Sequence, residues 1–406
     1  MIEYRDLEDG FNEQFNSIQQ YAFNFLNTSR KYNEKLSNEI WRGLIESGEL
    51  LACLKIFDLQ FINKGQKNKL GGIGGVAIPP EQRSKGFFRK LIKDTLYELN
   101  EKGYAFSALW PFSYSFYERF GWSQVSNHEY FELDLTTEKF IKDKYKVDLS
   151  NIRLFDGNYS LLNEIQAEYY KSNANFKVMR ENDWWEYRII KSKEENTFCY
   201  IYDDNNGSQG YIIYSSKDTE NNKHYYDKKM KIKEILYTDI KAFIHLINFI
   251  FKHKSQIQKI EINLNDGDIL SSVLKYNNSF HRKIMNGIMI RIINLDKLKL
   301  KMNHSINKSF KYKVHVKDDL LPWNNSYFIL QVDNHRISFS KINSVKNSAD
   351  FSLDINNLNK LLTGYFSLRQ MLDYNLINIS NDISKNEINM LERIFTKSNN
   401  YFPDHF

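Results

Sequence analysis

The sequence predicts a mixed α/β protein in three sections, the second repeating the first in outline and the third a compact α+β section. Three observations carry this. Over residues 1–135, short apolar runs cut by glycine turns alternate with a long stretch of helical period. The same order returns in degraded form over 151–292, and from Asp296 to residue 406 strands come first and helices follow. A chain of 406 residues has room for two or three domains.

The elements follow in order. "MIEYRDL" reads as a strand entering a helix start, with Asp6, Glu8 and Asp9 where acids are favoured, and an amphipathic helix runs from Gly10 to Phe25. "IWRGLIE", the turn "ESGE" and "LLACLKIFDLQFIN" form a hairpin, and "NKGQKN" turns into "KLGGIGGVAI". Residues 86–101 switch to helical period, with Phe88, Leu91, Ile92, Leu96 and Leu99 on one face. "YAFSALW" is a strand, "SYSFYERF" a short helix ending at Gly121, and "YFELDLT" a strand. "TTEKFIKDKYKVDLS" is a polar connection. The second section then reads as two helices, the hairpin "TFCYIYDD" and "QGYIIYSS", the strand "KIKEILYTD", the helix "IKAFIHLINFIFKHK", and the strands "KIEINLN" and "IMIRIIN". It lacks the proline- and glycine-containing loop of the first. Trp184 and Trp185, adjacent on a helix, point about 100° apart and read as core packing plus one interface contact.

Composition narrows the class. Hydrophobic residues make up 42% of the chain and charged residues 26%, normal for packed soluble domains. The net charge of +6 comes from 56 basic and 50 acidic residues that are scattered rather than striped, which argues against a nucleic-acid partner. Cys53 and Cys199 have no metal spacing and read as buried reduced thiols of a cytosolic, cytoplasmic protein. The acidic N-terminus has no apolar segment of the signal-peptide kind, and the longest apolar stretch, residues 242–251, is too short to span a bilayer, so no membrane partner is expected. No His/Cys/Asp cluster has metal spacing, so no metal is expected.

The chemistry concentrates in "VAIPPEQRSKGFFRK", residues 76–90. Pro79 and Pro80 lack an N–H and end the strand before the loop. A helix opening at Gly86 presents backbone N–H groups without internal partners, and with the helix dipole these suit a phosphate or pyrophosphate. Gly86 permits close approach, and Arg83, Lys85 and Arg89 add positive charge where a helix start disfavours it. A strand–turn–helix with a solvated basic first turn is the plain alternative.

"VAIPPEQRSKGFFR" resembles the acetyl-CoA loop of GNAT acetyltransferases, with Phe88 where a small residue is usual. Together with "SALWPFSYSFYERFGW" it is similar to the Eis (enhanced intracellular survival) acetyltransferases, over residues 68–122 and more weakly along the rest. The resemblance implies two tandem GNAT-like domains and a sterol-carrier-like domain closing on the terminal Phe. It implies that backbone groups of Val76, Ala77 and Ile78 hold the pantetheine arm of acetyl-CoA. Backbone N–H groups of Ser84, Lys85, Gly86, Phe87, Phe88 and Arg89 would cradle its pyrophosphate, and Phe112 and Ser113 would lie along the cofactor near the thioester. Tyr117 would protonate the leaving thiolate, and the α-carboxylate of Phe406 would act on the substrate amine as base or anchor. The function implied is acetyl transfer to multi-amine small molecules, of aminoglycoside or polyamine type, or to lysine, by a homo-hexamer.

The residues themselves keep rivals in view. Tyr117 is one of 26 tyrosines and could pack a helix end. Phe406 could be a frayed terminus. Asp404 and His405 compete for the base role, His405 with the better intrinsic pKa. Glu3, Asp6, Glu8, Asp9 and Glu13 could rim a pocket for a polycation or simply form a solvated helix start. The rival functions are a lipid or small-molecule binding protein with an inactive GNAT fold, and a basic nucleic-acid module.

Overall fold

The structure, a computed structural model, describes the chain except for residues 8, 24–35, 136–138, 141–146, 173, 191–196, 219–227, 266, 268, 271–273, 276–280, 302–308, 334–335 and 343–348. Glu8, the last residues expected of the first helix and most of the polar connection therefore lie outside the described residues. The chain forms two compact units. One comprises Met1–Ser126, Gly287–Ser398 and Asp404–Phe406; the other comprises Asn127–Asn286 and Asn399–Pro403.

The first unit is built on a sheet with the strand order Glu3–Asp6, Glu39–Glu46, Glu49–Asn63, Gln66–Ala77, Phe106–Leu109, Met289–Ile292, Ser123–Gln124. The first four are antiparallel neighbours; the glycine turns at Gly48 and Gly65 join the second to the third and the third to the fourth. Helix Phe87–Glu101 then carries the chain across to Phe106–Leu109, which runs parallel to Gln66–Ala77. That parallel ladder covers only Leu70–Ile73 against Phe106–Leu109. Gln66–Ala77 continues for four residues beyond it with one edge outside any ladder, and the two strands part there.

The strand read from "IMIRIIN" belongs to this sheet, between Phe106–Leu109 and Ser123–Gln124, not to the sheet of the second section. An apolar run announces a buried strand but does not say which edge it joins. In the same way "YFELDLT" joins the second unit, as Asn127–Asp134.

In the second unit, parallel strands Lys228–Tyr237 and Ile257–Asn265 are joined by helix Ile240–Phe251. This repeats the strand–helix–strand of the first unit, as the sequence order implies. Its core takes both Tyr211 and Trp185, and Trp184 is equally buried. Both tryptophans are core residues.

The C-terminal section forms a six-stranded sheet, Lys299–Lys301, Arg336–Ile342, Ser326–Asp333, Phe310–Lys317, Phe351–Asp354, Asn378–Ile379. Helices Ile355–Thr363, Leu368–Asp373 and Lys385–Ile394 follow. Strands precede helices, as the sequence order predicts. Leu330, Phe339, Phe351, Leu362 and Phe395 are among the wholly apolar residues that line a pocket within it.

Candidate active site

The loop between the parallel strands is built as its residues suggest. Strand Gln66–Ala77 stops before Pro79, and Pro80 opens a single 3-10 turn, Pro80–Gln82. Helix Phe87–Glu101 follows, with Leu91, Ile92, Leu96 and Leu99 buried. The half-buried Phe88 ring packs at 4.7 Å from Phe116 and 5.0 Å from Phe120. Gly86 caps this helix in the left-handed region at φ 83°, with no side chain on the helix N-terminus.

The first helical hydrogen bond is Lys90 N–H to Gly86 O at 3.1 Å, so the N–H groups of Phe87, Phe88 and Arg89 have no acceptor within the helix. Nothing lies within 4 Å of where a Gly86 Cβ would be. Ser84, Lys85, Gly86 and Arg89 are exposed. Among the described residues, the Arg83 and Lys85 heads meet neutral acceptors, the Ile78 carbonyl at 3.3 Å and Gln82 Oε1 at 3.0 Å. Their charge therefore stays available to an anion, and a pyrophosphate fits this helix end. The corresponding helix of the second unit differs. There the Asp239 carboxylate accepts from Ala242 N–H at 2.8 Å and fills the anion position itself.

The C-terminus lies where the strands part. Gly72 and Gly74 share one face of strand Gln66–Ala77, and both are filled by Phe406. A Cβ on Gly72 would sit 2.9 Å from the Phe406 ring, and one on Gly74 would sit 2.8 Å from its terminal carboxyl carbon. Gly74 is the first residue beyond the end of the parallel ladder. Phe57, opposite Gly72 in the sheet, packs at 5.5 Å from the Phe406 ring. Trp110, just past strand Phe106–Leu109, donates from Nε1 to the Asp404 carbonyl at 2.7 Å and stacks on His405 at 3.9 Å. The terminus is thus docked at both strands of the fork.

Tyr117 sits in helix Tyr114–Glu118. The helix end is a Schellman turn: Trp122 N–H reaches back to the Tyr117 carbonyl at 3.3 Å and Gly121 N–H to Glu118 at 3.0 Å. Gly121 takes the left-handed φ of 84° that the turn needs. Trp122 packs against Tyr117 at 6.3 Å, the apolar contact usual for this cap. Phe88 at 6.0 Å, Phe112 at 5.4 Å and Phe116 at 5.3 Å add to the aromatic surround. Tyr117 is 4% exposed, and burial pushes its phenol up to about 12. Phe112 itself is 77% exposed at the mouth of this group, with Ser113 at the start of the helix.

The sequence reading missed Trp110, Gly72, Gly74 and Phe57. The signal was present in "GGIGG": glycines inside a strand mark a close approach of another chain segment. Of the acidic residues considered for a pocket rim, Asp6 is paired with Arg42 at 2.5 Å, and Arg42 also holds Glu98. No metal-holding cluster occurs among the described residues, and no helix among them is long and apolar enough to cross a membrane.

The fold has close counterparts among solved structures. A conserved protein of Enterococcus faecalis V583, a probable N-acyltransferase, aligns over all of both chains with TM-score 0.84 and 20% identity. A GCN5-related N-acetyltransferase from Anabaena variabilis aligns over all of both chains with TM-score 0.81 and 21% identity. Eis1 from Mycobacterium abscessus does so with TM-score 0.75 and 16% identity. At such identities the likeness is one of fold. No curated protein matches the sequence. Family models add the chemistry: residues 3–125 and 177–292 each match an acetyltransferase (GNAT) domain, and 299–403 match a sterol carrier protein domain.

The chain is a GNAT acetyltransferase. As such it takes acetyl-CoA as co-substrate. The first GNAT domain holds the unfilled helix N-terminus.

Proposed function

We propose that this GNAT acetyltransferase transfers acetyl to a primary amine of a multi-amine small molecule, of aminoglycoside or polyamine type, or of lysine, at the fork between strands Gln66–Ala77 and Phe106–Leu109. The observation that carries this reading is the carboxyl group of Phe406 against Gly74, where the parallel ladder ends. The Eis resemblance further implies a cytoplasmic homo-hexamer.

Bound acetyl-CoA supplies the thioester that an amine attacks. The residues do the rest. The edge formed by Val76, Ala77 and Ile78 holds the amide-bearing arm as an added strand would be held. The N–H groups from Ser84 to Arg89 hold the pyrophosphate. Phe112 and Ser113 line the approach to the thioester.

The amine arrives as an ammonium with a pKa of about 10, and a terminal carboxylate, with a pKa of about 3.5, is ionised to meet it. Phe406 orients the ammonium and draws off one proton through water, leaving the nitrogen lone pair free. When the C–S bond breaks, the Tyr117 hydroxyl hydrogen-bonds the departing sulfur and passes it a proton. The proton left on the new amide nitrogen restores the phenol. Burial holds the phenol near 12, well above a thiol at about 8.5. Tyr117 therefore helps by a hydrogen bond that becomes a transfer only as negative charge builds on sulfur.

The test is thiol release from acetyl-CoA across a panel of polyamines, aminoglycosides and lysine peptides. Turnover with at least one multi-amine acceptor is expected. No turnover with any amine, together with no thermal shift from CoA, would overturn the reading.

A further inference from the structure

Helix Tyr114–Glu118 is five residues long, too short to hold itself in place. No described residue hydrogen-bonds the Tyr117 hydroxyl, whose raised pKa has burial as its cause. The phenol is therefore aimed by its backbone and its ring neighbours alone.

The backbone just after it is held from outside. Four of the five carbonyls from Glu118 to Trp122 accept from side chains later in the chain. Asn356 Nδ2 donates to the Glu118 carbonyl at 2.9 Å and to that of Trp122 at 3.3 Å. Asn359 Nδ2 donates to Gly121 at 2.9 Å, while its Oδ1 accepts from Ile292 N–H at 3.0 Å. Arg291 Nη1 donates to Phe120 at 2.5 Å. Arg291 is locked in turn by both oxygens of Asp318 at 2.8 Å, with Arg291 and Asp318 almost fully buried. Ser123 Oγ closes the set on the Asn356 carbonyl at 2.9 Å.

Asn356 and Asn359 lie on the first helix of the C-terminal section, Ile355–Thr363. That section has strands to cover and a core of its own, so amides spent on another section's turn carry a function beyond its fold. We propose that Asn356 and Asn359, with the Arg291–Asp318 pair beside them, are positioning residues that aim Tyr117, so that the C-terminal section sets the geometry of the acid as well as supplying the carboxylate. This rests on the reading of Tyr117 as the acid.

A double-mutant cycle in kcat tests it, with Asn356→Ala, Tyr117→Phe and the double variant assayed with acetyl-CoA and the best acceptor of the panel. Asn356 is half-buried, so its truncation leaves the core intact. Asn356→Asp keeps the volume and loses the donors, and serves as a second variant. Both Asn356 variants are expected to lower kcat by about tenfold with the KM for acetyl-CoA within about twofold, since small misplacement of a reacting group is costly. In the Tyr117→Phe background the same change is expected to cost nothing more. An equal loss in both backgrounds, or no loss beside an impaired Tyr117→Phe, would overturn the positioning role. A Tyr117→Phe variant with unchanged turnover would instead remove the acid reading itself, and the inference with it.

Discussion

Gly74 serves the site by lacking a side chain. A methyl group there would meet the carboxyl carbon of Phe406 at 2.8 Å, and the obstacle is backbone, which cannot swing aside. Gly74→Ala is therefore expected to displace the terminus and lower kcat by about tenfold or more, while acetyl-CoA affinity, proposed to come chiefly from the pyrophosphate site at residues 84–89, changes little. Steady-state kinetics beside CoA binding by calorimetry would check this.

The buried hydroxyls and thiol make a second prediction. Burial pushes Tyr114 and Tyr117 up to about 12 from an unfolded value of 10.0, and Cys53 up to about 12 from 9.0, helped in no way by its neighbours Gln19 and Lys55, which pull the other way. The folded chain thus keeps protons that the unfolded chain sheds above pH 9 to 10. Their contribution to stability is complete below that range and is lost as pH rises toward 12. Melting temperature should fall above about pH 9, and the fall should be shallower in Tyr117→Phe. A flat profile to pH 11 would contradict the burial of these groups.

At the scale of elements, the turn "FYERFGW" explains itself. Gly121 is needed twice: its φ of 84° suits the Schellman cap, and a Cβ would sit 1.3 Å from Arg291 Nη1. Gly121→Ala should strain the turn and dislodge a buried ion pair, a loss of about 3–5 kcal/mol in chemical denaturation.

Much of this was legible. Two prolines stopping a strand, a glycine opening a helix and an apolar face at Leu91, Ile92, Leu96 and Leu99 are local facts, and local facts are written in neighbouring residues. The partners of those elements are not. Nothing in "IMIRIIN" says that it pairs with Phe106–Leu109, about 180 residues earlier, and nothing near Asn356 says that its amide caps a turn at Glu118. The glycines of "GGIGG" were visible, but only the arrival of Phe406 tells what Gly72 and Gly74 make room for.

Across the whole molecule, the two GNAT domains differ at the start of the helix between their parallel strands. The first leaves its helix N-terminus open beside Arg83, Lys85 and Arg89, and the second fills its own with Asp239. The chain's last residue comes back to the first domain's sheet, across a separation of more than three hundred residues, to lie at the same fork. In the proposed mechanism the C-terminal section completes the site in two ways, by the Phe406 carboxylate and by the amides that hold the Tyr117 turn. Removing Phe406 alone measures the first of these directly. The shortened chain should bind CoA as the full chain does, yet lose about 10²-fold or more in kcat, the scale of a lost acid–base or positioning group. Turnover within about twofold of the intact protein, at equal folding and equal CoA affinity, would contradict a catalytic C-terminus.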